Sequence, residues 1–444
     1  MYFALITREA AQLRERVWRT LIARSGLVLT IGVALLLLGV GFGWRAHMRG
    51  RFAQLKAELK KSGPAVAQAV RPGGQDPIKL ERTQIEEGTV PEFLTAILLP
   101  GRGLNVFQIT AYIPGKGEVK LLASPSLEEA AKKLTGVGDD VEGAASLTMG
   151  GAFEAPWAGR IAGAASGDRS SVNVNWRGES LSLPATWQSG EAAASVGGML
   201  LKMPATSSNT NVMPDGGEAE VTFNAGGFDG RWLSSTEIST TVQLNSRAIE
   251  MRMVAKNTGT VPEPMGMGWQ PRFAILNDDR ASIRLRLPSN TRAEARDGKS
   301  GLLTGKLVVT EGGDYDFTGH NGARLGSLGL DDSFVHLKQA LLDTGPVAEI
   351  LDQKSGYGLR ITALNPAIKV MHVYAPADGD FISIGPRFNY DDPFGKQWPA
   401  DEDTGMVVLA PGQSAEWRIR LEIFSLKGSE AQHSEEPGPF DPTR

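Results

Sequence analysis

The stretch Gly266-Met-Gly-Trp-Gln-Pro-Arg-Phe273 is the starting point for the fold. It follows the run Val242-Gln-Leu-Asn-Ser-Arg-Ala-Ile-Glu-Met-Arg-Met-Val254, whose apolar and polar residues alternate with the period of two expected of a half-buried strand. Glycine lets the backbone or a ligand approach closely, Trp269 offers a flat apolar face, and Pro271 ends regular pairing. The stretch therefore predicts a strand that ends at the rim of a pocket, with Gln270 as its polar group.

Short alternating runs separated by Gly, Asn, Asp and Pro continue through most of the chain. Many short strands with turn residues between them predict an all-β fold, a large antiparallel β-sandwich. The clearest predicted strands are 105–112, 172–176, 218–223, 236–244, 248–254, 281–287, 302–310, 359–363, 368–374 and 415–424. Helical patterns after the N-terminal region are confined to 126–134 and 337–342. No repeat of fixed period is visible, which argues against a propeller or a solenoid.

Composition narrows the classes of function. The 444 residues have a net charge of −4 and no long basic stripe outside the N-terminal region, which gives no reason to expect a nucleic-acid partner. The absence of cysteine excludes disulfides, thiolate metal sites and cysteine nucleophiles. No His or carboxylate cluster has metal-ligand spacing, and no phosphate-binding loop is present, so we expect neither a metal nor another cofactor.

The N-terminal region predicts a membrane anchor, because residues 25–44 are an uncharged apolar run about as long as a bilayer-spanning helix. A cleaved signal peptide is the alternative, but the basic residues that follow the run do not resemble a cleavage site. The predicted organisation is a cytoplasmic amphipathic segment at 1–24, a transmembrane helix at 25–44, a stalk and linker at 45–77, the β-sandwich at 78–426 and a disordered tail at 427–444.

Basic residues flank both ends of the predicted anchor, so the positive-inside rule favours the two orientations almost equally. We predict a single-pass protein of a bacterial-type inner membrane with the N-terminus inside and the large domain in the periplasm. Such a chain would have the membrane as a partner and could have membrane-protein partners.

A second loop, Met149-Gly-Gly-Ala-Phe-Glu-Ala-Pro-Trp-Ala-Gly-Arg-Ile161, presents Arg160 close to Trp157. A guanidinium beside an aromatic face suits sugar hydroxyls and ring faces, although a structural salt bridge explains Arg160 equally well. Three further segments have a more specific pattern than their neighbours: 328–335, 372–386 and 408–414.

In their order and spacing, these segments resemble the aldose 1-epimerase (galactose mutarotase) family over roughly residues 95 to 425. The resemblance implies the galactose mutarotase-like supersandwich fold. It also implies that Arg160, which ends a Gly-Gly…Gly-Arg-Ile loop, and Asp331, in a Leu-Asp-Asp-Ser-Phe segment, contact a sugar. Three positions depart from the family pattern. Gln270 and Gly197 stand where the family has histidines, and Gly385 stands where it has the glutamate base.

These departures matter because mutarotation needs a base for the anomeric hydroxyl and an acid for the ring oxygen. Glutamine and glycine can supply neither. What the resemblance then predicts is a sugar or polysaccharide site without catalytic residues. Its predicted sugar-binding residues are Arg160, Asp331, Gln270, Trp157 and Trp269.

Replacement catalysts could come from the neighbouring sequence. Asp391 and Asp392 follow the missing glutamate, although a surface turn explains them more simply. The histidines His372, His336 and His320 are also candidates, although a lone histidine is usually structural or solvated.

The sequence is therefore compatible with three functions. The first is a membrane-anchored carbohydrate-binding protein without epimerase catalysis, in envelope carbohydrate or polysaccharide processing. The second is an active aldose 1-epimerase that uses non-standard residues. The third is a structural subunit of a membrane complex.

Overall fold

The computed structural model describes residues 13–19, 70–82, 88–276, 279–296 and 301–426. The chain divides into two compact units, Met1–Ala69 and Val70–Arg444. In the first unit the described part is one helix, α1 (13–19), which lies within the segment predicted to be amphipathic. Its Leu13 and Trp18 side chains are exposed.

The predicted transmembrane helix at 25–44 lies outside the described residues, as do the stalk up to residue 69 and the tail at 427–444. Within the described ranges, no helix combines the length and the apolar character needed to cross a membrane.

Strands are the main regular structure in the described part of the second unit. Its strands, in chain order over the described residues, are β1 (Ile78–Glu81), β2 (Glu92–Leu99), β3 (Asn105–Ile113), β4 (Gly117–Lys120), β5 (Gly151–Glu154), β6 (Arg160–Ala162), β7 (Ala164–Ala165), β8 (Ser171–Trp176), β9 (Glu179–Pro184), β10 (Trp187–Ser189), β11 (Ala192–Val196), β12 (Ser207–Met213), β13 (Gly216–Gly226), β14 (Thr236–Leu244), β15 (Ala248–Asn257), β16 (Glu263–Met265), β17 (Gly268–Pro271), β18 (Phe273–Ala274), β19 (Ile283–Arg286), β20 (Thr291–Ala295), β21 (Leu303–Val309), β22 (Ala323–Arg324), β23 (Leu330–Val335), β24 (Val347–Asp352), β25 (Tyr357–Ala363), β26 (Val370–Ala375), β27 (Phe381–Arg387), β28 (Val407–Leu409) and β29 (Ser414–Ser425).

Helical structure is brief among the described residues of this unit. Their one α-helix, α2 (Leu127–Lys133), confirms the helix predicted at 126–134. Its start is fixed by a capping box, in which the Ser126 hydroxyl accepts from the Glu129 N–H and the Glu129 carboxylate accepts from the Ser126 N–H. The described 3₁₀ turns are Pro72–Gly74, Pro100–Arg102, Gly138–Thr148 and Arg280–Ser282.

Two large sheets form the sandwich. The first has the strand order β1-β2-β3-β5-β17-β27-β26-β23-β20-β21, with β4 on β3 and β18 on β27. The second has the order β12-β13-β14-β15-β29-β25-β24-β19-β22. Smaller sheets join β10-β11-β6, β7-β8-β9 and β16-β28. Neighbouring strands pair antiparallel, which confirms the predicted antiparallel β-sandwich.

The core lies between the two large sheets. Trp417 of β29 meets Phe153 of β5 edge to face, with ring centroids 6.0 Å apart. The Trp417 indole Nε1 also donates to the Pro386 carbonyl of β27 at 3.1 Å. These contacts join the middle strands of the two sheets. The opposite face of the first sheet points away from this core.

The separate strands predicted at 236–244 and 248–254 are confirmed as β14 and β15. The alternating run 242–254 includes the turn between them, where the Asn245 N–H donates to the Ala248 carbonyl at 2.9 Å. Leu244 pairs with Ile249, so the alternation continues through the turn. The segment 337–342, predicted as helical, is not helical. The chain enters it through His336 in the left-handed region, with φ of 52°, and so lacks an extended N-cap residue.

Candidate functional site

The candidate site lies on the face of the first sheet that points away from the core, here called the outer face. Alternation decides which residues reach it: Ile384 of β27 is in the core, and so Gly385 lies on the outer face, paired with His372 of β26. The residues that the strand register places together on this face are Glu154, Gly268, Gln270, Asp331, Ser333, His372, Gly385 and Arg387.

The loop between β5 and β6 is held in place by two side chains from the segment that follows β27, Asn389 and Asp391. The Asn389 side chain accepts from the Ala158 N–H and donates to the Ala158 carbonyl. The Asp391 carboxylate accepts from the Arg160 N–H at 2.8 Å. Gly159 has φ of 69°, and a Cβ there would overlap the Asp391 carboxylate, so this position requires glycine. These contacts fix the position of Arg160 on the outer face.

Arg160 and Asp331 form an ion pair, with Nη2 2.8 Å from Oδ2. The pair is partly open, because 19% of the Arg160 side chain and 32% of the Asp331 side chain are exposed. His372 Nε2 lies 3.0 Å from Asp331 Oδ1. The other ring nitrogen, Nδ1, is buried and has no hydrogen-bond partner within the described part of the chain.

Behind this pair lies a second group of charges, which we call the Arg387 cluster: Arg387, Glu154, Asp391 and Gln270. The Arg387 guanidinium lies 3.4 Å from Glu154 Oε2 and 3.5 Å from Asp391 Oδ1, and it donates to Gln270 Oε1 at 2.8 Å. Ser333 donates to Asp391 at 2.9 Å. Only 2% of the Arg387 side chain is exposed. The cluster is therefore almost closed to solvent.

The pKa values differ among these carboxyl groups for physical reasons. Burial opposes ionisation of Asp331, but the hydrogen bond to His372 and the Arg160 guanidinium hold the pKa of Asp331 well below its usual range. Burial also opposes ionisation of Asp391, but Arg387 and neighbouring cations bring its pKa below the usual value. For Glu154 burial prevails over the attraction of Arg387, and its pKa is raised.

The three positions where the resemblance expects acid–base residues have different surroundings. At Gly385 an added Cβ would lie 3.0 Å from the Trp269 carbonyl and 3.7 Å from Arg387 Nε, so this position faces the Arg387 cluster. Gln270 is half-buried and accepts from Arg387. At Gly197 an added Cβ would lie 2.9 Å from methyl groups of Leu147 and Leu201, so a side chain there would meet leucines.

Trp157 and Trp269 are fully buried, which corrects the prediction that their rings offer a face to a sugar. Trp157 stacks on Trp232 with ring centroids 5.5 Å apart, and Trp269 packs edge to face on Phe273. Both rings form part of the hydrophobic core. Alternation along β17 places Trp269 there, and the loop between β5 and β6 places Trp157 there.

Aromatic surface comes instead from two tyrosines that the sequence gave no reason to select. Tyr315 and Tyr374 line a cavity of about 400 Å³ that also contains Asp331, Asp332 and Arg292. The Arg292 guanidinium lies 4.0 Å from the Tyr315 ring centroid and is hydrogen-bonded to Asp332. Tyr374 pairs across the strands with Asp331, so alternation on β26 could have indicated Tyr374 once the strand pairing was known.

Two buried residues were also missed. Glu154 lies inside the quoted Gly-Gly loop, where its alternation with the core residue Phe153 was a usable signal. Arg387 follows Gly385 by two residues and so shares its face, but its partners come from distant parts of the chain.

The remaining candidates have other places. Asp392 is buried, accepts from the Ala162 N–H at 3.1 Å and from Gln397 at 2.7 Å, and has a pKa raised by burial. His336 is exposed beside Glu402, and His320 lines a separate cleft. Of the predicted replacements, only His372 and Asp391 join the outer-face site directly.

The arrangement defines a class of protein: a galactose mutarotase-like supersandwich with an Arg–Asp pair on its outer face. The structure is similar to a galactose mutarotase-like protein from Clostridium acetobutylicum, at 15% identity and a TM-score of 0.61, covering 79% of this chain and 98% of that one. The family model for aldose 1-epimerase matches residues 131–422, so the chain belongs to the aldose 1-epimerase family.

Two other solved structures share the fold. A galactose 1-epimerase from Lactobacillus acidophilus is 13% identical with a TM-score of 0.54, covering 78% of this chain and 98% of that one. An aldose epimerase homologue from C. elegans is 16% identical with a TM-score of 0.54, covering 75% and 96%. A comparison with curated proteins finds no match. The family predicted from the sequence is thus confirmed, and with it a carbohydrate-related function.

Proposed function

We propose that this chain is a carbohydrate-binding member of the aldose 1-epimerase family that does not catalyse epimerisation. One observation carries the proposal: Arg160 and Asp331, brought together from distant parts of the chain, meet at 2.8 Å and stay partly exposed beside a cavity. Gln270 and Gly385, at the matching catalytic positions, have no group that exchanges a proton near neutral pH.

The nearby carboxyl groups are poorly suited to replace them. Asp331 has a strongly lowered pKa and is an acceptor only, which fits a sugar hydroxyl better than it fits acid catalysis. Asp391 is buried and already accepts from Ser333 and from the Arg160 backbone. Glu154 has a raised pKa, but its side chain is fully enclosed beside Arg387.

The test is NMR on the full-length protein with glucose and galactose, measuring both saturation transfer and exchange between anomers. We expect the wild-type protein to give a saturation-transfer signal. Arg160→Ala should weaken the affinity for the sugar about tenfold or more, because a charged hydrogen-bond donor is lost. The rate of anomer exchange should equal that of the free sugar. Faster exchange with the wild-type protein would contradict the proposal.

A restoration experiment asks whether the missing groups are the reason. The double variant Gln270→His/Gly385→Glu returns an acid and a base, and we expect it to accelerate anomer exchange by about 100-fold or more over the wild type. The control Gln270→His/Gly385→Gln has the same size without the carboxylate. Equal exchange in the two variants would show that the carboxylate at 385 is not the missing base.

An active epimerase is the second candidate, and one observation favours it. His372 Nε2 lies 3.0 Å from Asp331 Oδ1, and a histidine oriented by a carboxylate is a usual form of general base. If wild-type protein accelerates anomer exchange and His372→Gln abolishes this while saturation transfer persists, the second candidate replaces the first. The absence of any sugar signal would favour the third candidate, a structural subunit of a membrane complex.

We also propose that residues 25–44 anchor the protein in a bacterial-type inner membrane, with the large domain in the periplasm and a role in envelope carbohydrate or polysaccharide processing. The uncharged run at 25–44 supports the anchor. Protease added to spheroplasts should digest the large domain without lysis. Digestion only after lysis would reverse the orientation.

A further inference from the structure

The cavity lined by Tyr315 and Tyr374 has features of a ligand site beyond the Arg160–Asp331 pair. We call it the Tyr315 cavity, and its volume of about 400 Å³ is within the range of small-ligand sites. It contains aromatic rings, two carboxylates and one guanidinium, a composition suited to a sugar unit.

The cavity is continuous with the Arg160–Asp331 pair on two sides. Asp331 lines the cavity and is also the carboxylate that binds Arg160. Gly301 lines it as well and lies against the Arg160 guanidinium, where an added Cβ would be 2.5 Å from Cζ. A ligand that contacts Asp331 can therefore extend into the cavity without leaving the outer face.

The polar groups of the cavity are already fixed in position. Arg292 is held by its hydrogen bond to Asp332 and by its contact with the Tyr315 ring, 4.0 Å from the centroid. Asp332 Oδ2 also accepts from the Asp331 N–H at 3.2 Å. The Tyr315 ring also packs against the hydrophobic core, so the aromatic surface that lines the cavity is fixed in position as well. A site held in this way needs little ordering when it binds.

From these contacts we infer that the Tyr315 cavity is a second sugar subsite, so that the ligand is an oligosaccharide or a polysaccharide segment rather than a free monosaccharide. This inference rests on the proposed function and specifies its ligand. One sugar unit contacts Arg160 and Asp331, and the next unit packs on Tyr315 and Tyr374.

The experiment compares monosaccharides with chains on the full-length protein. A glycan array identifies the bound chain, and calorimetry then measures that oligosaccharide and its constituent monosaccharide. We expect the oligosaccharide to bind more tightly. Tyr315→Ala should weaken it by roughly threefold to tenfold and leave the monosaccharide unchanged, because one aromatic contact is lost. Tyr315→Phe should keep the affinity, since the ring remains.

The matched control is Tyr112→Ala, which removes a half-buried tyrosine of β3 that does not line the cavity. Equal affinity for the monosaccharide and the oligosaccharide would overturn the inference while leaving the proposed function intact. So would an effect of Tyr315→Ala no larger than that of Tyr112→Ala, in variants with wild-type melting temperatures. No binding of any glycan on the array would contradict the proposed function itself, and the inference with it.

Discussion

Two guanidinium groups on the outer face share one carboxylate and still differ in what they can do. Asp391 Oδ1 lies 4.0 Å from the Arg160 guanidinium and 3.5 Å from the Arg387 guanidinium. Arg387 is 2% exposed, whereas Arg160 is 19% exposed and paired with a more open aspartate. The same residue types therefore form a closed structural cluster in one place and an open polar pair in the other.

The difference teaches that solvent access, more than residue identity, decides whether a charged group on this face can meet a ligand. Inside the Arg387 cluster, each charge depends on the others because no water replaces a lost partner. At the Arg160–Asp331 pair, water or a ligand hydroxyl can take the place of either partner. We therefore expect substitutions in the cluster to change stability, and substitutions in the pair to change binding.

The largest expected effect is that of Arg387→Met. It removes the guanidinium that lies between the buried carboxyl groups of Glu154 and Asp391 and should lower the free energy of unfolding by about 3–5 kcal/mol. Urea unfolding measures it. The control Arg252→Met removes a surface pair with Glu416 and should cost no more than about 1 kcal/mol. Similar losses in the two variants would remove the distinction between enclosed and open charges.

A buried carboxyl group without a cation sharpens the comparison. Glu263 is fully buried, its hydrogen-bond partner is the Thr236 hydroxyl, and burial raises its pKa from 4.5 to about 7. The folded protein holds this proton more tightly than the unfolded chain, so the stability that Glu263 contributes is present below pH 4.5 and is lost as pH rises to about 7.

The free energy of unfolding that Glu263 contributes falls by roughly 3 kcal/mol over this pH range. Glu263→Gln should remove this part of the pH dependence, so that the variant gains stability relative to wild type between pH 4 and pH 8. Urea unfolding of both proteins at the two pH values measures the difference. Parallel pH profiles would show that Glu263 ionises freely.

The smallest expected effect tests whether Gly159 fixes the position of the loop between β5 and β6, and with it the position of Arg160. Gly159→Ala places a Cβ against Asp391, while Gly115→Ala has a similar positive φ and open space around it. Both variants carry the left-handed backbone cost, and only Gly159→Ala adds a steric overlap. We expect Gly159→Ala to be less stable than Gly115→Ala by about 1–3 kcal/mol. Thermal unfolding gives the difference, and equal losses would mean that the loop can move.

Much of the fold was predictable because alternation is a local property. The strand predicted at 236–244 has those bounds in the structure, and the predicted strand 172–176 begins only one residue earlier. The helix α2 was predictable from its cap and short apolar pattern. Turn geometry was harder, since the alternation of apolar and polar residues continues through the hairpin at 245–247.

The candidate site was only partly predictable. Arg160 and Asp331 could be selected because each lies in a recognisable segment, and the structure brings them together. The burial of Trp157 and Trp269 depends on which side of the sheet faces the core, which a single sequence does not specify. Tyr315 enters the site from a loop after β21, and such a contact depends on tertiary structure alone.

The hydrogen bond from the Trp417 indole to the Pro386 carbonyl gives the protein an internal optical reporter. Pro386 lies between Gly385 and Arg387, so a ligand that displaces β27 also changes the polarity at the Trp417 N–H. The fluorescence difference between wild-type protein and Trp417→Phe would isolate that signal. Occupancy of the outer face could then be followed by emission from the opposite side of the sheet, without a label.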